Sequence, residues 1–504
     1  MPSSTHMIQT PRMPDLDVVV IGAGISGIAA AYHLATNLPE QRFAVLDAKS
    51  GIGGTWQTHR FPGIRSDSDL FTFGFSWKPW TGVPIATAPE ILAYLNEAVD
   101  EHDLRRHIRF GHTVENADWN SEKAVWSLTV RNSTGTETLT CRFLWMCAGY
   151  YRHSEGYQPR WPGMEDFSGP VVHPQQWPAD LDHDGKRIVV IGSGATAATL
   201  VPALCETAAH VTMLQRSPTY YYARPATDQF IETLRALDLP AEWQHEILRR
   251  KFLHEQQVVT RRSFEEPEAL AADLIAGVRA YLGEDFDIET HFKPSYRPWR
   301  QRLAVVPDGD LFTAIRSGRA SIVTDHIRRF TPRGLELASG EMLEADIIVT
   351  ATGLVLNALG DISVRVDGRP VDISQCWTHR GIMLSGVPNM AMVFGYLRAS
   401  WTLRADLVAD YVCRLLTHMT ERRATSVVPA LRDEELAMPA RPWIEPENFN
   451  AGYILRGLDI MPRQGDRQPW VMTQDYFDDR ETLPAADLDD GTLIYAQHGI
   501  GSGS

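Results

Sequence analysis

The sequence predicts an α/β fold with two Rossmann-like units and a helical insertion, and three observations carry that reading. A β-branched run meets a glycine-rich turn and an apolar helical stretch at residues 17–35, and the same order recurs at residues 187–205. Residues 227–280 instead space their apolar side chains three and four apart, without a glycine turn, as helices do. The 504 residues suffice for several cores, because single cores stop growing at about 250–300 residues.

In the first unit DVVVI, residues 17–21, is of buried parallel-strand type, and Gly22-Ala23-Gly24-Ile25-Ser26-Gly27 follows at once. Gly22 permits the tight turn, Gly24 lets the backbone approach a pyrophosphate, and Gly27 lets helix and strand pack closely. The helix N-terminus then faces the phosphates of a dinucleotide. A second strand, residues 42–46, ends at Asp47, placed to accept hydrogen bonds from a ribose. Such a turn suits FAD or NAD(P). A second approach of small residues at Gly53-Gly54-Thr55-Trp56 suits a bulky resident group, so FAD is expected here, with Gly54, Thr55 and Trp56 at its site.

The second unit runs RIVVI, residues 187–191, into Gly192-Ser193-Gly194-Ala195-Thr196-Ala197, with Ala197 still small enough for close helix packing. Its next strand, residues 210–214, ends in Gln215-Arg216-Ser217 rather than an acid. An arginine there suits a 2′-phosphate, so NADPH is the implied cosubstrate, held by Gly192, Gly194, Ala195, Thr196 and Arg216. The alternative for Arg216 is an ordinary solvated side chain. Two such sites imply a hydride donor delivering to a flavin. Cys141, Cys147, Cys205, Cys376 and Cys413 contain no C-x-x-C pair, which argues against disulfide reduction, a disulfide framework and a zinc site, and makes O₂ the expected acceptor.

A net charge of -15 with no dense basic run argues against a nucleic-acid partner. Residues 1–14 lack an apolar leader core, and the longest apolar run, residues 18–35, is broken by Gly, Ser, Tyr and His, so no transmembrane segment is expected. The last six residues, GIGSGS, read as a flexible tail. A soluble, cytoplasmic, metal-free enzyme fits these features.

Between the two turns FSGPVVHPQQWP, residues 167–178, is too broken by Gly and Pro for a helix and alternates too briefly for a sizeable strand, so it reads as a linker. Its Phe167, Gly169, His173, Trp177 and Pro178 match F-x-G-x-x-x-H-x-x-x-W-P, the fingerprint of the type I Baeyer–Villiger flavin monooxygenases. The chain resembles this family over nearly its whole length, through FPGIRSDSD (61–69), CAGYY (147–151), VPDGDLF (306–312), ATGL (351–354) and GYLRASWTL (395–403). The wording is most similar to the ethionamide-activating monooxygenase subgroup.

The resemblance implies an FAD domain in two parts, 15–150 and 346–498, an NADP domain in two parts, 151–222 and 296–345, and a helical insertion at 223–295. It implies conversion of ketones to esters or lactones through a C4a-peroxyflavin, with oxidation of thioethers and thioamides beside it. Heteroatom oxidation without ketone activity is one alternative, and a non-catalytic flavin- and nucleotide-binding sensor is another. The resemblance makes Arg302 of WRQRL the catalytic residue and Asp67 of GIRSDSD the acid that orients it. A guanidinium stays protonated at working pH and offers directed donors to anionic oxygen. His173 takes a conformational role from the family, with a satisfied structural histidine as the alternative. Asp47 stands where many relatives have Glu, and Gln301 stands where others have Lys, which leaves Arg216 with less help at a 2′-phosphate. Ser400 is expected to cap a helix aimed at the flavin, and Trp401 either walls the substrate space or belongs to the core.

Overall fold

Leu16–Ile21 lies inside the first sheet, with Phe43–Asp47 on one side and Gly135–Met146 on the other, both parallel to it. Its three valines are fully buried, as expected of a strand covered on both faces. The computed structural model describes residues 14–497, so residues 1–13 and the tail at 499–504 lie outside the described residues, as does the last position of the segment expected to end at 498.

This sheet has nine strands. Thr113–Asn120, Val125–Asn132 and the first half of Gly135–Met146 form an antiparallel meander, while the second half of Gly135–Met146 pairs in parallel with Met390–Met392. The return of the chain at residue 390 therefore completes the first unit, and the helix Trp401–Glu421 packs on the glycine-turn helix Ile25–Asn37.

The second sheet has five strands, all parallel, in the order Ala320–Thr324, His210–Gln215, Arg187–Ile191, Ile347–Thr350, Val171–Val172. Two expectations are corrected by it. Ile347–Thr350 pairs along Arg187–Ile191, so the boundary expected at 345 moves past Thr350. Val171–Val172, inside the stretch read as a linker, is the edge strand of the same sheet.

The insertion contains the helices Gln229–Ala236, Ala241–Glu265 and Pro267–Leu282 and the short helix Ile288–His291. Ala241–Glu265 docks on the first unit through a stack of Phe252 on Phe71, centroids 5.4 Å apart, and through buried Arg249, which donates to the carbonyls of Phe71 and Gly74 at 2.9 and 3.2 Å. Those two carbonyls satisfy a guanidinium that burial would otherwise penalise.

Candidate active site

The two glycine turns have the shape a dinucleotide requires. Gly24 and Gly54 face each other so closely that a Cβ on Gly54, whose φ is +54°, would stand 3.1 Å from the Gly24 Cα. Both glycine-turn helices, Ile25–Asn37 and Ala195–Leu204, begin without a side-chain cap, which leaves their first N–H groups directed out of the helix. At Gly194 a Cβ would meet nothing within 4 Å, so the lack of a side chain there keeps open space beside that helix start. Gly22 and Gly27 pack against the backbone of Cys147 and of Gly22, Ala195 and Thr196 open the second helix half-buried, and Thr55 begins a short turn of helix. Trp56 sits half-buried with its ring edge-to-face on Phe73. These features fit phosphates at both turns.

Asp47 is 9% exposed, and its two oxygens accept from the backbone N–H groups of Ala23 and Lys49 at 2.7 and 2.8 Å. It braces the first glycine turn. Arg216 is exposed at the end of its strand, and its charge, after burial, helps to lower the Arg456 guanidinium.

Arg302 and Asp67, 235 positions apart, meet in a two-pronged ion pair, Nε to Oδ2 at 2.9 Å and Nη2 to Oδ1 at 3.0 Å. The acid beside it holds the Arg302 guanidinium well above its usual value. Both residues line a cavity of about 80 Å³ walled by the first unit, the segment returning from the insertion, and Phe252, Gln256 and Val259 of the insertion itself. Tyr150, Tyr151 and Tyr453 cluster beside Arg302; burial raises all three phenols, and the nearby guanidinium opposes the rise. Their neutral hydroxyls are donors within a charged site.

The fingerprint residues lie elsewhere. Phe167 packs on Phe330 behind the second sheet, and Gly169 is pressed against the carbonyl of Asp346. His173 spans 3.1 Å from Nε2 to the Gly353 carbonyl and accepts from the Gln175 N–H at Nδ1 at 3.2 Å. With both ring nitrogens bound to backbone and its pKa lowered by burial, His173 is a neutral tie between the linker and the ATGL loop. Trp177 covers the core of the second unit, and half-buried Pro178 follows it.

Two expectations near residue 400 change. Ser400 holds the N-cap position, but its hydroxyl pairs with Thr72 at 2.6 Å and makes no cap bond. Trp401 does not line the cavity; its ring stacks on Tyr150 at 4.8 Å and its Nε1 donates to Ser26 of the first glycine turn at 2.8 Å. Sequence reasoning missed Asp69, which is 2% exposed in the cavity wall and accepts from Thr72 and from Gln256 of the insertion. Its signal was the second acid of SDSD, two positions after Asp67.

Two nucleotide-shaped turns and an ion-paired arginine lining a cavity define a flavin-dependent oxidoreductase. Residues 85–236 match the model of flavin-binding monooxygenase-like proteins, and residues 20–82 match the NAD(P)-binding Rossmann-like domain. The FAD-containing monooxygenase EthA of Mycobacterium tuberculosis is 46% identical over 487 residues, 96% of this chain and 98% of that one. The chain belongs to this family of FAD-containing monooxygenases. The crystal structure of OTEMO in complex with FAD and NADP shares the fold at a TM-score of 0.73 and 21% identity, covering 96% of this chain and all of that one. Cyclohexanone monooxygenase with ε-caprolactone bound shares it at a TM-score of 0.67 and 23% identity, over 82% and 90% of the two chains. Among the described residues no helix is long and apolar enough to cross a membrane, and no cluster of His, Cys, Asp and Glu could hold a metal.

Proposed function

We propose that this protein is an NADPH-dependent Baeyer–Villiger monooxygenase that converts ketones to esters or lactones and also oxidises thioethers and thioamides. The observation that carries the reading is the Arg302–Asp67 pair in the wall of the cavity, where a fixed guanidinium can meet oxygen that becomes anionic during the reaction. In the overall reaction a ketone, O₂, NADPH and a proton yield an ester, NADP⁺ and water. One oxygen atom enters the bond between the carbonyl carbon and its neighbour, the other leaves as water, and the cosubstrate supplies two electrons.

FAD bound at Gly22, Gly24, Gly27 and Gly54 supplies the activation of O₂. The chain's own residues do the rest. Asp67 aims Arg302 through two parallel hydrogen bonds and Arg302 stabilises negative charge on oxygen. Phe252, Val259 and Leu303 give an otherwise charged cavity an apolar part of its wall. Gly192, Gly194, Ala195 and Thr196 take the cosubstrate's pyrophosphate, and Arg216 its 2′-phosphate. His173 couples the linker to the ATGL loop and acts on position, not on a proton. The five cysteines are all free and buried, in keeping with a cytoplasmic setting.

The test is mass spectrometry of products after aerobic incubation with NADPH and a compound carrying both a linear methyl ketone and a thioether. Ester formation supports the reading. Sulfoxide without ester assigns heteroatom oxidation alone, and no catalytic consumption of NADPH assigns a binding role.

A further inference from the structure

Arg398 lines the cavity that contains Arg302 and also a second cavity on the C-terminal side, so it stands where the two meet. It is half-buried, and its polar contacts are backbone carbonyls only: Nε donates to Trp299 at 3.3 Å and Nη2 to Asn448. Arg297 joins it, donating to the same Asn448 carbonyl at 3.1 Å, and both guanidiniums lie over the ring of Phe264, at 5.1 and 4.1 Å. Two like charges are thus gathered around one aromatic ring.

No acid answers them. Of the carboxylates lining the two cavities, Asp67 is held by Arg302, Glu255 by Lys251, Glu445 by Arg441 and Asp466 by Arg467. The fifth, Asp69, is hydrogen-bonded to Thr72 and has Arg224 and Arg249 as its near cations. Among the described residues neither Arg398 nor Arg297 forms a salt bridge. Burial, with Arg297 beside it, pulls the Arg398 guanidinium down to about 10. A desolvated cation without a counter-ion is unfavourable unless a ligand brings the charge. The indole Nε1 of Trp299, which lines the same cavity, is a buried donor with no partner.

We propose that Arg398, seconded by Arg297, is a subsite for a carboxylate, and that the preferred substrates are keto acids whose carbonyl reaches Arg302 while the acid group pairs with Arg398. This rests on the Baeyer–Villiger reading above. Phe252, Val259 and Leu303, which line the same cavity, suit the methylene chain linking the two groups.

The experiment compares kcat/KM for a linear methyl ketone and for the ω-carboxylate of the same chain length with the FAD-loaded enzyme. The expected preference for the acid is about tenfold or more, the order of a charge-assisted hydrogen bond. Arg398→Met brings that ratio close to one and Arg398→Lys keeps part of it. A wild-type ratio of one, a ratio unchanged in Arg398→Met, or a loss confined to the KM for NADPH overturns the proposal, the last by assigning Arg398 to cosubstrate phosphate. If neither compound gives ester, the Baeyer–Villiger reading fails separately, and equilibrium dialysis with decanoate and decan-1-ol decides the subsite. Selective loss of decanoate binding in Arg398→Met supports it; equal binding of both ligands by the wild type refutes it.

Discussion

Arg302 grips Asp67 through two parallel hydrogen bonds of 2.9 and 3.0 Å that join the segment after the helical insertion to the loop before Leu70–Phe73. Both partners are about one-third exposed, so the pair is open to a ligand. Its worth lies in direction more than in stability, since exposed pairs contribute little.

Arg302→Ala is expected to leave anaerobic reduction of the flavin by NADPH in place while ester formation falls by roughly 10²–10³-fold, the range for losing one oxyanion donor. Asp67→Asn, which keeps the shape and removes the charge, should fall between. Stopped-flow absorbance separates the two half-reactions, and full ester formation by Arg302→Ala would end the assignment.

Gly192 and Gly194 differ in what their side chains would meet. A Cβ at Gly192, where φ is +131°, would lie 2.3 Å from the Ala351 carbonyl, whereas at Gly194 it would meet nothing within 4 Å. Gly192→Ala should therefore lower the Tm. Gly194→Val should leave the Tm of the FAD-loaded protein unchanged and raise the KM for NADPH by about tenfold or more, because it fills space that only a cosubstrate needs. Thermal melts and initial rates check both, and an unchanged KM in Gly194→Val would remove the second turn from nucleotide binding.

Arg216→Ala should raise the KM for NADPH about tenfold more than that for NADH, because only NADPH carries the 2′-phosphate. Steady-state kinetics with both cosubstrates decides it; an equal effect on the two excludes Arg216 from phosphate recognition.

His379 is 1% exposed, and burial lowers its pKa from 6.5 to about 3. The folded ring is neutral, so between these values the unfolded chain binds the extra proton and stability rises with pH. His379 thus contributes fully above pH 6.5 and less as pH falls toward 3, by at most about 1.4 kcal/mol per unit. Urea midpoints at pH 7, 6 and 5 should decline in the wild type and decline less steeply in His379→Gln. Identical slopes for the two proteins would exclude His379 as a source of the acid sensitivity.

The two glycine turns were legible in the sequence because strand, turn and helix are contiguous there and each glycine answers a local steric demand. The insertion was legible by its period, and the pairing of Arg302 with Asp67 only through the family resemblance. Neither source reached what depends on distant segments meeting. Ser400 looked like a cap, yet its hydroxyl finds Thr72 across 328 positions. Ile347–Thr350 looked like the start of the last segment, yet strand order, which no local pattern encodes, puts it in the second sheet. Trp401 was undecided until its indole met Ser26 and Tyr150. By itself the sequence determined the two nucleotide-shaped turns and the helical insertion, because they are contiguous. Only tertiary structure decided which side chains share the cavity and that Arg398 faces it without an acid, because burial and charge balance are properties of the assembled surface.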